Sequence, residues 1–333
     1  MNHTSTCDIE KFLNETAEKC HVLVIGDMML DKYYYGIVTR ISPEAPVPVN
    51  VVKRMKETLG GAANVAHNLA RLGVSLSLLG YVGHDYHGKC LLHQMHAFGI
   101  ATKNLVETDA STTTKLRVLG GHQQMMRIDF EDLHAYDAGA ADMLLSRAEN
   151  EIKTHAKNSA VILSDYGKGV CTSSVCQRAI KMAHAYGIPV IVDPKGADWK
   201  RYRLADFITP NVKELNEVQE EPVHNDDGEV ERASRYAMAK FNIQGMLATR
   251  SEKGLSLIAD QDALHIPTMA QDVYDVSGAG DTVIAVFAAA IASGMPPRDA
   301  AWLANLAAGI VVAHVGTYAV CREELLNAWK TIA

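Results

Sequence analysis

No block of basic residues interrupts this chain of 333 residues, in which 32 Lys and Arg are outnumbered by 39 Asp and Glu for a net charge of −7. A binder of nucleic-acid phosphates needs clustered cations, so nucleic acid is not an expected partner. The six cysteines, Cys7, Cys20, Cys90, Cys171, Cys176 and Cys321, show neither CxxC nor Cys/His metal spacing and read as reduced, buried thiols. The polar, acidic stretch Met1–Glu18 lacks the basic start and apolar run of a secretory signal, which points to the cytoplasm. No run suits a membrane span: the apolar stretch Ala301–Val315 carries Asn305 and His314 and reads as buried helix. Without an internal repeat or a glycine-serine linker, one domain covering residues 1–333 is expected.

What is present is a globular composition, with 48% hydrophobic and 21% charged residues. Runs rich in Val, Ile and Leu at His21–Gly26, Leu76–Val82, Val161–Ser164, Pro189–Val192, Phe207–Thr209 and Gly245–Thr249 read as buried parallel strands. Helical patterns at Ala62–Leu72, Lys89–Ala97, Ser174–Tyr186 and Val230–Phe241 lie between several of them, many closed by a glycine. That alternation implies a three-layer α/β sandwich. Two β-rich excursions, at about 33–52 and 112–129, break it. They read as a small inserted sheet that covers a pocket as a lid, with an exposed face that suits a second copy of the chain.

The sharpest local signal is Asp275-Val-Ser-Gly-Ala-Gly-Asp281, followed by the alanine-rich stretch Thr282–Ala292. Gly278, Ala279 and Gly280 then sit at a helix start, where unpaired N–H groups and the positive dipole end suit a phosphate gaining transition-state charge. A carboxylate at Asp281 beside such an anion hole can take the proton of an attacking hydroxyl. Taken alone, the segment equally fits a tight turn with Asp281 as the N-cap. It is not a Walker A loop, and Val283 fills the third glycine position of the dinucleotide fingerprint.

Together with Gly60-Gly61-Ala62-Ala63-Asn64 near the other end, this segment resembles the signatures of the PfkB/ribokinase family of carbohydrate kinases, and the resemblance extends from about His21 onward. It implies a ribokinase-like three-layer α/β/α sandwich with a small β-sheet lid, with Asp281 as catalytic base and residues 278–280 at the transferring phosphoryl group. Sugar contacts are implied for Asp27, Asp31, Gly60, Gly61 and Asn64. Asn211, Glu214, Thr249, Gly254 and Asn305 match the ATP site, with Glu214 organising Mg2+ through its waters. Relatives also hold a monovalent cation near the positions of Asp275 and Ser277.

Within the family, a finer resemblance is to kinases that phosphorylate D-glycero-β-D-manno-heptose 7-phosphate at its anomeric hydroxyl, towards the inner-core heptose of lipopolysaccharide. Arg40–Val49, Thr114–Val118, Leu163–Gly169, Val192–Gly196 and Val273–Asp281 carry it. No HxGH-type nucleotidyltransferase motif occurs, so a stand-alone kinase is expected. A substrate that already bears phosphate needs cations, and Arg40, Lys115, Arg117, Arg127, Lys168 and Lys195 are candidates. Lys115, Arg117 and Lys195 stand out because they lie inside resembling segments; for each, a solvated charged face is the other reading. Kinases of fructose phosphates or ribose, and a non-catalytic sensor on the same fold, are the alternatives.

Overall fold

The computed structural model describes residues 8–332 apart from 122, 133–135, 137, 260 and 271, so Cys7 lies outside the described residues. The chain begins with β1 (His21–Gly26), β2 (Met28–Ile41), β3 (Pro48–Gly61), α1 (Ala62–Arg71), β4 (Ser75–Leu79), β5 (Tyr81–Gly83), α2 (Tyr86–Ala97) and β6 (Val106–Thr108). It continues through β7 (Thr114–Gly120), β8 (Gln123–Phe130), α3 (Ala138–Thr154), β9 (Ser159–Ser164), α4 (Ser173–Ala185), β10 (Val190–Asp193), β11 (Phe207–Ile208) and α5 (Val212–Glu217). The last third holds α6 (Asp227–Phe241), β12 (Gly245–Thr249), β13 (Leu255–Ala259), β14 (Asp262–Ile266), α7 (Ala279–Ala292), α8 (Pro297–Val311) and α9 (Arg322–Ile332).

Eight strands form one sheet in the order β14-β13-β12-β11-β10-β9-β1-β4. Its pairs are parallel from β4 through to β12, and β13 and β14 extend it as an antiparallel edge. Strand β1 shows why helices cover both faces, because successive side chains point to opposite sides. Val22 and Val24 join one core cluster with residues of α1, α7 and α8. Leu23 and Ile25 join the other, with residues of α3, α4 and α6. The three layers follow from that alternation. The run Leu76–Val82, expected as one strand, is two: β5 leaves the main sheet after Gly80 to pair with β6.

A second sheet has the order β3-β2-β7-β8 and contains most of residues 33–52 and 112–129. Its register sorts the side chains into two faces. One carries the rows Thr58–Asp31–Lys115–Asp129 and Lys56–Tyr33–Arg117–Arg127, and the other carries Glu57–Lys32–Leu116–Ile128 and Met55–Tyr34–Val118–Met126. Directly opposed residues share a face, so charge gathers on the first and apolar area on the second.

Candidate active site

The C-terminal ends of the parallel strands meet two helix starts at one edge of the main sheet. Asp27 follows β1, Asp165 follows β9, Asp193 ends β10, Asn211 follows β11 and Thr249 ends β12. Ligands of open α/β sheets bind in the crevice beyond such strand ends. Gly60 and Gly61 lead into α1 there, and Gly278 leads into α7.

Asp281 is not the N-cap of α7 but lies within its first turn; Gly278 is the cap, with φ 81° and no capping side chain. A Cβ at Gly278 would stand 2.8 Å from Asn64 Nδ2, so this position combines a left-handed backbone with a close approach that only glycine supports. Asn64 Nδ2 donates to Asp281 Oδ2 at 2.7 Å. The Tyr166 hydroxyl donates to Oδ1 at 2.5 Å. Asp281 is buried, and burial pushes its carboxyl from the ordinary 3.8 up to about 6, against the opposing pull of these two donors. Such a carboxylate is ionised at neutral pH yet basic enough to accept a proton.

One of the N–H groups expected at the anion hole is occupied. The Ala279 N–H donates to the Val276 carbonyl at 3.2 Å, which leaves Gly280 and Asp281 to offer the N–H groups that have no intrahelical acceptor. A Cβ on Gly280 would meet no protein atom within 4 Å, so that side of the turn is open. Next to Asp281, Thr282 Oγ1 donates to Asn68 Oδ1 at 2.9 Å, which fastens α7 to α1 beside the Asn64–Asp281 bond.

On the second sheet, Arg117 Nη1 donates to Asp31 Oδ1 at 2.5 Å, an arrangement that brings these two expected substrate residues together. Gly60 leaves room for the Asp31 carboxylate, which a Cβ there would overlap. Lys115 shares the face of Asp31 and stands 5.9 Å from the centre of the Tyr166 ring. Burial pushes the Lys115 ammonium below its usual value; Asp31 opposes that, while Lys168, Arg117 and Arg127 add to it. Among the described residues no carboxylate lies within ion-pair distance of Lys115. Arg127 pairs with Asp129, and Lys168 with Glu131. Arg40 is exposed near the far end of β2.

Asp27 corrects its expectation. Its carboxylate accepts the N–H groups of Tyr166, Lys168 and Val170 at 2.8–2.9 Å, so it shapes the loop after β9 instead of reaching towards a ligand. Lys195 likewise points to Glu214, 3.1 Å away, and not to the Asp31–Arg117 group. Asn211 and Glu214 form a reciprocal cap at the start of α5, and Asn211 also bridges to Thr249. The Asp193 carboxyl is held well above its usual value by burial, then by Asp281 and Glu214. Gly254 closes the turn after β12, its carbonyl accepting the Arg250 N–H at 2.8 Å. Asn305 donates to the Pro267 carbonyl at 2.8 Å and so anchors the chain after β14. Asp275 accepts the N–H groups of Ser277 and Gly316, both at 2.9 Å.

Tyr166 is the residue that sequence reasoning missed. Its only signal was its place in Leu163–Gly169, a segment valued for resemblance and not for any chemistry of its tyrosine.

Comparison with known proteins fits this geometry. The family model described as pfkB family carbohydrate kinase matches residues 19–324. The chain is 46% identical over 308 residues to the Bifunctional protein HldE of Actinobacillus pleuropneumoniae, covering 92% of this chain and 63% of that protein. The HldE of Magnetococcus marinus is 45% identical over 318 residues, covering 94% and 64%. The chain thus spans a little under two thirds of the length of these relatives. Among solved structures, Escherichia coli phosphofructokinase-2 in complex with potassium superposes with a TM-score of 0.77 at 16% identity, covering 94% of this chain and 98% of that one. Arabidopsis thaliana ribokinase complexed with ribose and ATP gives 0.73 at 22% identity, covering 93% and 98%. These likenesses establish a ribokinase-like fold, and with the family match and the geometry at Asp281 they make the chain a sugar kinase that belongs to the pfkB family of carbohydrate kinases.

Proposed function

We propose that this kinase transfers the γ-phosphoryl group of ATP to the anomeric hydroxyl of D-glycero-β-D-manno-heptose 7-phosphate, giving the 1,7-bisphosphate used for the inner-core heptose of lipopolysaccharide. The observation that carries the reading is Lys115: a half-buried ammonium without a carboxylate partner among the described residues, on the same sheet face as Asp31 and Arg117. A second phosphate on the sugar would supply the missing anion. The resembling segments and the 45–46% identity to HldE proteins support the heptose over other sugars.

In this mechanism Asp281 removes the hydroxyl proton while Asn64 and Tyr166 hold its two oxygens in place. The N–H groups of Gly280 and Asp281, aided by the positive end of α7, stabilise the phosphoryl group in flight. Asp31, steadied by Arg117, orients the sugar hydroxyls. Asp193, Glu214 and Asp281 crowd like charges together, which suits a divalent cation bound through hard oxygen atoms. Mg2+ held by Glu214 and Asp193 through water would neutralise charge on the ATP phosphates. A monovalent cation near Asp275 and Ser277 would offset the Asp275 carboxylate and add positive charge beside the anion hole. The second sheet acts as a lid over the sugar, and its apolar outer face pairs with that of a second copy in a homodimer.

The test is phosphate transfer from Mg-ATP to the heptose 7-phosphate, to fructose 6-phosphate and to ribose, with Asp281→Asn as the blank. Transfer to the heptose, lost in the variant, is expected. Preference for another sugar would retain the kinase chemistry and discard the heptose assignment.

A further inference from the structure

Far from Asp281, at the opposite end of the main sheet, His21 opens β1 beside Glu151 and His155 at the end of α3. One ligand atom from each of these residues lies within 4.8 Å of the other two. The two imidazoles stack with centroids 3.8 Å apart and planes within 9°, and His155 Nε2 is 3.8 Å from Glu151 Oε2. His21 is only 6% exposed. Its Nδ1 is 3.0 Å from Ser75 Oγ, whereas its buried Nε2 has no hydrogen-bond partner.

An unpartnered buried ring nitrogen calls for an explanation, because leaving it unsatisfied costs about 1–3 kcal/mol. When Nδ1–H donates to the Ser75 hydroxyl, Nε2 presents a lone pair, the arrangement found behind metal-bound histidines. Burial, then the neighbouring His155, lower the His21 ring to about 4, so it is neutral at physiological pH. Burial opposes ionisation of Glu151, but Ser77, Asn104 and Lys103 together hold its carboxyl below the usual range. Lys103 is an opposing charge near the cluster, and the Glu151 carboxylate offsets it.

We propose that His21, Glu151 and His155 form a binding site for a divalent transition metal of the zinc class, separate from the kinase centre. Two imidazole nitrogens and one carboxylate oxygen are a borderline donor set that suits such ions. Bonds of about 2.1 Å to one tetrahedral ion bring ligand atoms to about 3.4 Å from each other, so the three groups must draw together. The partly exposed His155 side chain can move to do so and leaves the fourth position to water. The six residues of β1 separate the cluster from the catalytic edge by about 16 Å at roughly 3.3 Å per residue, so an ion there clips α3 to β1 and takes no part in phosphoryl transfer.

Cobalt(II) is the probe, added to chelator-stripped protein in the presence of excess Mg2+ and followed by its visible absorption. One equivalent should bind in a tetrahedral environment and be displaced by Zn2+. His155→Asn and Glu151→Gln should each weaken binding at least tenfold while leaving the unfolding temperature of the metal-free protein in place. No stoichiometric uptake by the unmodified protein, or uptake that both variants retain, would overturn the site.

Discussion

Raising the Asp281 carboxyl from 3.8 to about 6 burdens the folded, ionised protein by about 3 kcal/mol, at 1.36 kcal/mol for each pH unit. The folded form holds the proton more tightly than the unfolded chain, so this group favours folding below pH ~4 and that contribution is lost as pH rises through about 6. Asp281→Asn removes the burden along with the base. Turnover should fall by orders of magnitude, and the melting temperature relative to the unmodified protein should be higher at pH 8 than at pH 5. Equal differences at the two pH values would mean that Asp281 is not a strained carboxylate. Tyr166 acts on the same proton from the other side, since its hydroxyl stabilises the ionised form. In Tyr166→Phe the acid limb of kcat/KM should therefore move to higher pH, with activity recovering in alkaline buffer. An unmoved limb would leave Tyr166 a packing residue.

The start of α7 separates two glycines that look equivalent in sequence. Gly278 has φ 81° and packs against Asn64, whereas Gly280 is helical and faces open space. Gly278→Ala should destabilise the fold by about 1–3 kcal/mol through strain and displacement of Asn64. Gly280→Ala should leave stability unchanged or raise it by up to ~1 kcal/mol, as alanine does in helices, yet cut kcat by filling the space beside the anion-binding N–H groups. Urea unfolding and steady-state kinetics on both variants check the contrast. Elements with a strong period were legible beforehand: β1 and β12 have the expected bounds, and α1 ends one residue early. The hairpin β13–β14 was not singled out, because its antiparallel pairing at the sheet edge rests on partners that local pattern does not name. The two motifs that the sequence marks do meet in the fold, where Asn64 and Asp281, 217 residues apart, are bonded. Asp27 shows the other side: sequence identifies a polar group but not the backbone N–H groups that occupy it.

Across the whole molecule, the second sheet sets its charged rows beside the catalytic edge and leaves part of its apolar face exposed, although Lys32 and Leu116 on that face are buried. Met55, Met126 and Ile128 are exposed on that face, and Ile37, Ile41 and Val51 are exposed further along β2 and β3. A patch of this kind on a sheet is an aggregation hazard unless a partner buries it, and an identical copy related by a two-fold axis offers the same patch in return. A stable pair needs about 800 Å² from each partner, which two strands of 14 residues can supply. Sedimentation should therefore give twice the chain mass at micromolar concentration, and the double substitution Met55→Glu with Met126→Glu should give a single chain mass. Neither methionine shares the rows of Asp31 or Arg117, so their effect on catalysis must travel through the sheet. If the separated chains keep their turnover, the face serves assembly alone. If kcat holds while KM for the sugar rises several-fold, pairing stiffens β2 and β7 and keeps Asp31, Lys115 and Arg117 in register for the substrate.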